Sequence, residues 1–352
     1  MLRYLLTCNP GLEDVTSREA YEEISGARLV EERRGRGRVI IEAPPHVEER
    51  LYRMRSIHSA ALLLVEETVG YTRRALESIE RVTRESGVHR FIPWSSTFAV
   101  RGERIGEGHE YTSVDVARHV GKAVQEAYEA EYGVKPEVRL ESPGVSILAE
   151  VDDDLFRLGV YLIGERSWHR RGYRVYDHPA ALKPSLAYGL LRLAGARDNA
   201  TILDPMCGGG TVAVEAAYLY EDARIVCVDK NPRHVKGAIM NASAARVEDR
   251  VEFYVWDARR LEELLSPGSV DFAASNPPYG IRLGSPQSVR SLYSDFVPSL
   301  YKVMASGGRA SLVTTESGYL AGLARRVGFR IAHVRKVRHG DLWVSLLVLE
   351  KP

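Results

Sequence analysis

Cysteine is scarce in this chain: Cys8, Cys207 and Cys227 are the three among 352 residues. They show no CxxC spacing and no even-numbered framework. A disulfide scaffold and a structural zinc are therefore not expected, and a reducing cytoplasm is the expected compartment. The N-terminus, Met1-Leu2-Arg3-Tyr4-Leu5-Leu6-Thr7-Cys8, lacks an apolar stretch followed by a small-residue cleavage site. The longest apolar run, around residues 60–65, is far too short to span a bilayer, so no membrane role is expected. Charge of one sign is also missing. The formal net charge is +1, so global charge does not announce a nucleic-acid partner. Lysine is sparse, 8 against 40 arginines, and that ratio alone decides nothing about habitat.

What is present reads as a soluble globular chain too long for one core. At 45% hydrophobic and 27% charged residues, two or three domains are expected. Charge is split between the halves. Residues 1–165 carry 22 Lys and Arg against 29 Asp and Glu, and residues 166–352 carry 26 against 18. Basic clusters occur even so: Arg33-Arg34-Gly35-Arg36-Gly37-Arg38, Arg53 with Arg55, Arg73-Arg74, and the run from Arg166 to Arg174. Each reads equally as a solvated face or as an RNA contact, since RNA binding needs local patches rather than a high overall charge.

Periodicity divides the chain. Strands at 2–6, 28–30, 38–42 and 60–66 alternate with helices at 12–25 and 46–54, a small α+β unit of about 65 residues. A helix over 72–86, a strand at 98–101, a helix from Thr112 or Ser113 to about Tyr132, and strands at 138–140, 146–151 and 155–159 follow. Trp94 beside Pro93 is expected in the core. From residue 201 the pattern becomes strand–helix alternation, the signature of a mostly parallel sheet covered on both faces. Strands are expected at 201–203, 224–229, 251–255, 270–275, 309–314, 331–336 and 342–349. Helices are expected at 180–195, 211–220, 232–245, 259–265, 289–305 and 317–327.

Two segments carry chemistry. The strand Thr201-Ile202-Leu203 runs into Asp204-Pro205-Met206-Cys207-Gly208-Gly209-Gly210-Thr211. A glycine turn after a strand lets backbone approach a ligand, and the next helix offers free N–H groups to an anion. Ala213 replaces the third glycine of the dinucleotide pattern, and Asp204 would repel a pyrophosphate. It suits a ligand bearing a cation, as the methionine part of S-adenosylmethionine does. Asp229, ending the next apolar strand and followed by Lys230, can accept ribose hydroxyls. Asp257 can accept from an adenine amino group while the Ala258 N–H donates to the ring.

The second segment, Asn276-Pro277-Pro278-Tyr279, follows the strand at 270–275. An exocyclic amine on a base is a poor nucleophile because its lone pair is delocalised. Acceptors for its two hydrogens favour a tetrahedral nitrogen aimed at a methyl group. The Asn276 side-chain oxygen and the Pro277 carbonyl supply two, and Tyr279 can stack on the base. Methylation makes the nitrogen acidic, so no strong general base is needed, and catalysis rests on positioning and electrostatics. Cys207 has no base visible near it, and covalent catalysis is unnecessary. His178 and Lys183 border this region or simply start a helix; Trp168 and Tyr173 either stack on RNA or anchor the linker.

These motifs resemble the S-adenosylmethionine-dependent amino-methyltransferases with an (Asp/Asn)-Pro-Pro-Tyr motif. The versions here, Asn276-Pro277-Pro278-Tyr279-Gly280 and Asp204 to Thr211, are most like the RNA guanine-N2 methyltransferases. Phe98-Ala99-Val100-Arg101 with Tyr111-Thr112-Ser113 and Val120-Gly121-Lys122-Ala123 resembles a THUMP domain, and Thr7 to Asp14 the ferredoxin-like start of the archaeal and bacterial tRNA guanine(6)-N2 group. The resemblance implies an α/β chain: a ferredoxin-like domain at 1–65, a THUMP RNA-binding domain at 66–160, a linker at 161–180, and a Rossmann-like methyltransferase fold at 181–352. It implies Asn276, Pro277 and Tyr279 as catalytic, and S-adenosyl-L-methionine held by Asp204, Cys207, Gly208, Gly210, Thr211, Asp229, Lys230, Asp257, Ala258 and Asn276. It implies tRNA as partner, no metal and a monomer. Gly209 stands where relatives often have Ser, which loosens the turn but keeps its donors. The rivals are the same chemistry on another tRNA guanine, on rRNA or on adenine N6 of DNA, and a non-catalytic RNA-binding assembly factor. Intact Asp204, Asp229, Asp257 and Asn276 weigh against the last.

Overall fold

The computed structural model describes residues 1–164, 171–177, 181–278 and 286–352. The chain forms two compact units: Met1–Cys8 with Thr16–Trp168, and Asn9–Val15 with His169–Pro352.

The first unit is built on one eight-stranded sheet. Its elements are β1 (Leu2–Cys8), α1 (Glu13–Glu23), β2 (Arg28–Arg33), β3 (Arg38–Ala43), α2 (Glu48–Arg53), β4 (Ile57–Thr68), α3 (Ala75–Glu85), β5 (Thr97–Ile105), α4 (Ser113–Tyr132), β6 (Glu137–Val138), β7 (Val145–Asp152) and β8 (Leu155–Ile163). The strand order is β2-β3-β1-β4-β8-β7-β5-β6. The first four are paired antiparallel, the split βαββαβ arrangement of a ferredoxin-like fold. β4 then pairs with β8, so the sheet runs on without a break. Helix α4 starts on a capping box, with Thr112 accepting from the Asp115 N–H and Asp115 accepting from the Thr112 N–H, and ends at left-handed Gly133.

Carboxylates of this sheet take up the first basic cluster. Arg33 pairs with Asp152 at 2.8 Å, Arg36 with Asp153 at 3.1 Å, and Arg38 with Glu150 at 2.6 Å. Fully buried Arg157 reaches the same Glu150 at 3.1 Å and Glu66 at 3.1 Å. Removing one partner would strand a buried charge, so these arginines serve the fold. Arg34, at 81% side-chain exposure, still faces solvent. Trp94 departs from expectation: it is 65% exposed and meets Tyr132 edge-on at 6.5 Å.

The second unit contains α5 (Pro184–Ala194), β9 (Thr201–Asp204), α6 (Thr211–Leu219), β10 (Arg224–Asp229), α7 (Pro232–Ala244), β11 (Val251–Val255), β12 (Val270–Ser275), α8 (Pro286–Val303), β13 (Met304–Thr314), α9 (Ser317–Val327), β14 (Arg330–His339) and β15 (Leu342–Glu350). The sheet order is β11-β10-β9-β12-β13-β15-β14, parallel from β11 to β13 and antiparallel through the last two. The expected helix at 259–265 is a short 3-10 turn, Ala258–Glu263. β13 begins earlier than expected because Met304 pairs with Val270 ahead of a register shift, and Gly308 lies in the shifted stretch, where a Cβ would lie 2.8 Å from the Asp271 carbonyl.

Two apolar clusters flank the sheet. One packs α5, α6 and α7 against residues such as Ile202, Val344 and Leu346; the other packs α8 and α9 against Val226, Leu312 and Leu347. Asn9–Val15 joins the first side. Asn9 accepts from Ser185 Oγ at 2.7 Å and donates to the Arg338 carbonyl at 3.1 Å, and Asp14 pairs with Arg335 at 2.6 Å.

Candidate active site

Between β9 and β12 the strand order reverses direction, and open α/β sheets bind ligands at such a switch point. Parallel pairing of Phe272 with Ile202 and Ala273 with Leu203 brings the ends of both strands together. A cavity of about 750 Å³ opens there. Its walls include Asp204, Cys207, Gly208, Thr211, Asp229, Lys230, Asp257, Ala258, Asn276 and Pro277, so residues far apart in sequence converge on one space. Gly209 and Lys183 also line it. Gly210 does not: it caps α6 at φ 76°, and a Cβ there would press on Ala238 at 2.9 Å. Tyr279 and His178, like Trp168, lie outside the described residues. Tyr173 is buried, and its hydroxyl donates to Glu215 at 2.8 Å, so it anchors its segment rather than offering a stacking face.

Asp204 is 4% exposed and accepts from Ser275 Oγ at 2.7 Å and from the Met206 N–H at 3.3 Å. Burial pushes its carboxyl up to about 7, and nearby Asp229 adds to the rise. Asp229 supports the glycine turn. Its Oδ2 accepts from the Gly208 N–H at 3.0 Å, while Oδ1 accepts from the Asn231 N–H at 2.9 Å and meets His234 Nδ1 at 3.2 Å. A carboxylate has about four acceptor sites, so one remains on Oδ2, and a second becomes available if His234 turns aside. Asp257 caps the 3-10 turn by accepting from the Arg259 N–H at 3.0 Å. The Arg259 guanidinium lies on the same carboxylate and holds it below the usual carboxylate range.

Cys207 and Cys227 form a disulfide, with Cα atoms 5.6 Å apart, which corrects the expectation of unpaired cysteines. Spacing could not reveal it. Cys227 sits opposite Asp204 in the parallel register, and the turn after β9 carries Cys207 back over β10. The bridge removes Cys207 as a nucleophile in this state.

Sequence reasoning missed several supports. Asn241 on α7 donates to the Gly209 carbonyl at 2.8 Å and exchanges two hydrogen bonds with the Tyr176 backbone. It thereby fixes the glycine turn to the segment leading into the unit. Tyr293 on α8, fully buried, donates to Thr314 Oγ1 at 3.0 Å with the Pro278 carbonyl at 3.4 Å, steadying the proline turn. The hairpin tip residues His339, Gly340 and Leu342 close one side of the cavity. None carried a signal in sequence that set it apart from its neighbours.

The arrangement suits a nucleoside with a cationic tail beside a planar amine. Three carboxylates stand at successive strand ends, and the α6 N-terminus offers backbone N–H groups to a carboxylate. Asn276 lines the same cavity just past the end of β12, the strand adjoining β9.

A THUMP domain matches residues 73–161, and an RMKL-like methyltransferase domain matches residues 171–345. A tRNA (guanine(6)-N2)-methyltransferase of Archaeoglobus fulgidus is 31% identical over 375 residues, covering 99% of this chain and 92% of the relative. One from Thermus thermophilus is 33% identical over 356 residues, 98% of each. The crystal structure of TrmN from Thermus thermophilus matches all of both chains at 30% identity with a TM-score of 0.81.

Proposed function

The chain belongs to the THUMP-containing tRNA (guanine-N2)-methyltransferases, and on that premise we propose that it transfers a methyl group from S-adenosylmethionine to N2 of the guanosine at position 6 of the tRNA acceptor stem. The observation that carries this reading is the pairing of β9 with β12, which sets Asp204 and Asn276 on one cavity, joined through Ser275.

S-adenosylmethionine, when bound, supplies an electrophilic methyl group. Asp204 faces the cationic tail, Asp229 accepts from the ribose, and Asp257 with the Ala258 N–H reads the adenine. Gly208, Thr211 and Lys230 shape the same wall. Asn276 Oδ1 and the Pro277 carbonyl accept the two hydrogens of the guanine amine. That draws its lone pair out of conjugation and aims it for in-line attack. The methylated nitrogen then releases a proton to solvent.

In this reading residues 1–65 form the ferredoxin-like domain and 66–160 the THUMP domain, which takes the tRNA, with 161–180 as linker to the catalytic domain. Among the described residues no helix is long and apolar enough to cross a membrane. The protein would act as a monomer in the cytoplasm, where its tRNA is.

Asp204 makes cofactor affinity depend on pH. Its folded carboxyl titrates near 7, against 3.8 in a solvated chain. The free fold therefore loses stability as pH rises from about 4 to about 7, because the unfolded chain gives up that proton first. A cationic ligand needs the ionised form, so its affinity works in the opposite direction. Calorimetry is expected to show a plateau above pH 7 and about a tenfold loss per pH unit below it. Asp204→Asn is the control: it should bind weakly with a flattened profile. An unchanged slope in that variant would assign the dependence elsewhere. The function itself is tested by incubating enzyme, S-adenosylmethionine and unmodified transcribed tRNA, then mapping the methylated nucleoside by mass spectrometry.

A further inference from the structure

β14 is the outermost strand of the C-terminal sheet, and its sequence, Arg330-Ile331-Ala332-His333-Val334-Arg335-Lys336-Val337-Arg338-His339, is dense in cations. Edge strands are often blunted with charge against unwanted pairing, and that is the plain explanation to beat. It fits part of the strand. Arg330 pairs with Glu350, and Arg335 with Asp14. It does not fit the hairpin end. Lys336 has no carboxylate partner among the described residues, and the carboxylate nearest Arg338, that of fully exposed Asp341, is 3.9 Å away.

Alternation places Val334, Lys336 and Arg338 on one face of β14. The antiparallel register sets Trp343 of β15 directly across from Arg338. On β15 this face is covered further from the tip, since Ser345 and Leu347 are buried, and it opens at Trp343, which is 49% exposed; on β14, Val334, across from Leu347, stays 51% exposed. An indole beside a guanidinium, with a second cation two residues on, is the equipment for stacking a nucleobase and holding its phosphate.

Position gives this face a use. His339 and Leu342, the last residue pair of the hairpin, line the active cavity together with Gly340. Trp343 and Arg338 are their immediate neighbours in chain and so project from the opposite face of the same ribbon. The hairpin tip therefore has one side on the cavity and the other side carrying an exposed aromatic across from Arg338. A guanosine inside a stem cannot reach a buried pocket without leaving its stack, and its neighbour then loses a stacking partner.

We propose that the β14–β15 hairpin tip is a wedge between the acceptor guanosine and the adjoining nucleotide, with Trp343 stacking on that adjoining base and Arg338 and Lys336 binding its backbone phosphates. The inference rests on the tRNA reading given above and adds a second nucleotide site to it. Trp343 is a binding residue, not a catalytic one. Its contribution is to hold the stem open while the guanine occupies the cavity.

The experiment uses the full chain and transcribed acceptor tRNA carrying 2-aminopurine, in separate preparations, at each nucleotide flanking the acceptor guanosine. Wild-type protein is expected to quench the probe on one flank as the indole stacks on it. Trp343→Ala should abolish that quenching and lower kcat/KM for tRNA by roughly 5- to 150-fold, the range for loss of one base–aromatic stack. Trp343→Phe should recover most of the activity. Affinity for S-adenosylmethionine, measured by calorimetry, should be unchanged in both variants, which also reports that they fold. Arg338→Ala should weaken tRNA binding and lessen its salt dependence. Wild-type activity and quenching retained in Trp343→Ala would overturn the wedge alone. A wild-type protein that methylates no RNA guanosine would overturn the parent reading and the wedge with it.

Discussion

Replacing Asn276 by alanine is expected to lower kcat for methyl transfer to tRNA by about 10²- to 10³-fold, the usual consequence of deleting one preorganised polar group at a reacting centre. The side chain follows β12, whose neighbour β9 ends in Asp204, and it lines the cavity beside Pro277. Its oxygen is the one side-chain acceptor placed for the amine among the residues assigned to that role. Without it the nitrogen lone pair stays conjugated with the ring and the barrier rises. Cofactor affinity should fall far less, because the carboxylates proposed to hold the cofactor sit on other strands. Asn276→Asp keeps an acceptor at the same place and should lose less than the alanine variant. Single-turnover rates with labelled cofactor check this; full activity in Asn276→Ala would remove the amine-orienting role.

Asp229→Ala should weaken S-adenosylmethionine binding by about 10²-fold or more, since hydrogen bonds to a charged acceptor contribute about 1.5–3 kcal/mol each. Two losses combine. On the proposed assignment the ribose loses its acceptor, and the glycine turn loses its tether, because Asp229 holds the Gly208 and Asn231 N–H groups. Asp229→Asn retains an acceptor oxygen and should fall between wild type and alanine. Calorimetry at fixed pH measures both variants, and a melting curve separates the tether from the ligand contact. Unchanged affinity in Asp229→Ala would mean that the nucleoside lies elsewhere.

The parts of the site that were legible from residues alone lie at strand ends. Asp204, Asp229 and Asp257 each follow an apolar run, and Asn276-Pro277 follows another. In a parallel sheet such ends share one edge, so linear order already implied convergence. Contacts set by register or by helix rotation were not legible. Asn241 reaches the Gly209 carbonyl only because α7 turns that face inward, and Cys207 meets Cys227 only through the β9–β10 pairing. The Arg33–Arg38 cluster shows the same limit from the other side. Local charge suggested solvent or RNA, whereas Arg33, Arg36 and Arg38 pair with carboxylates of β7 and the turn after it, more than a hundred residues away. Trp94 left its expected place in the core for a related reason: burial depends on what packs against a segment, not on its own composition.

If one cavity brings a methyl donor to the N2 amine of a single tRNA guanosine, mass-spectrometric mapping of tRNA after reaction with enzyme and S-adenosylmethionine will find N2-methylguanosine in the fragment holding position 6. That product should disappear when the guanosine is replaced by inosine, which has no 2-amino group. Methylation at a ring nitrogen, on adenine, or undiminished in the inosine tRNA would contradict this reading.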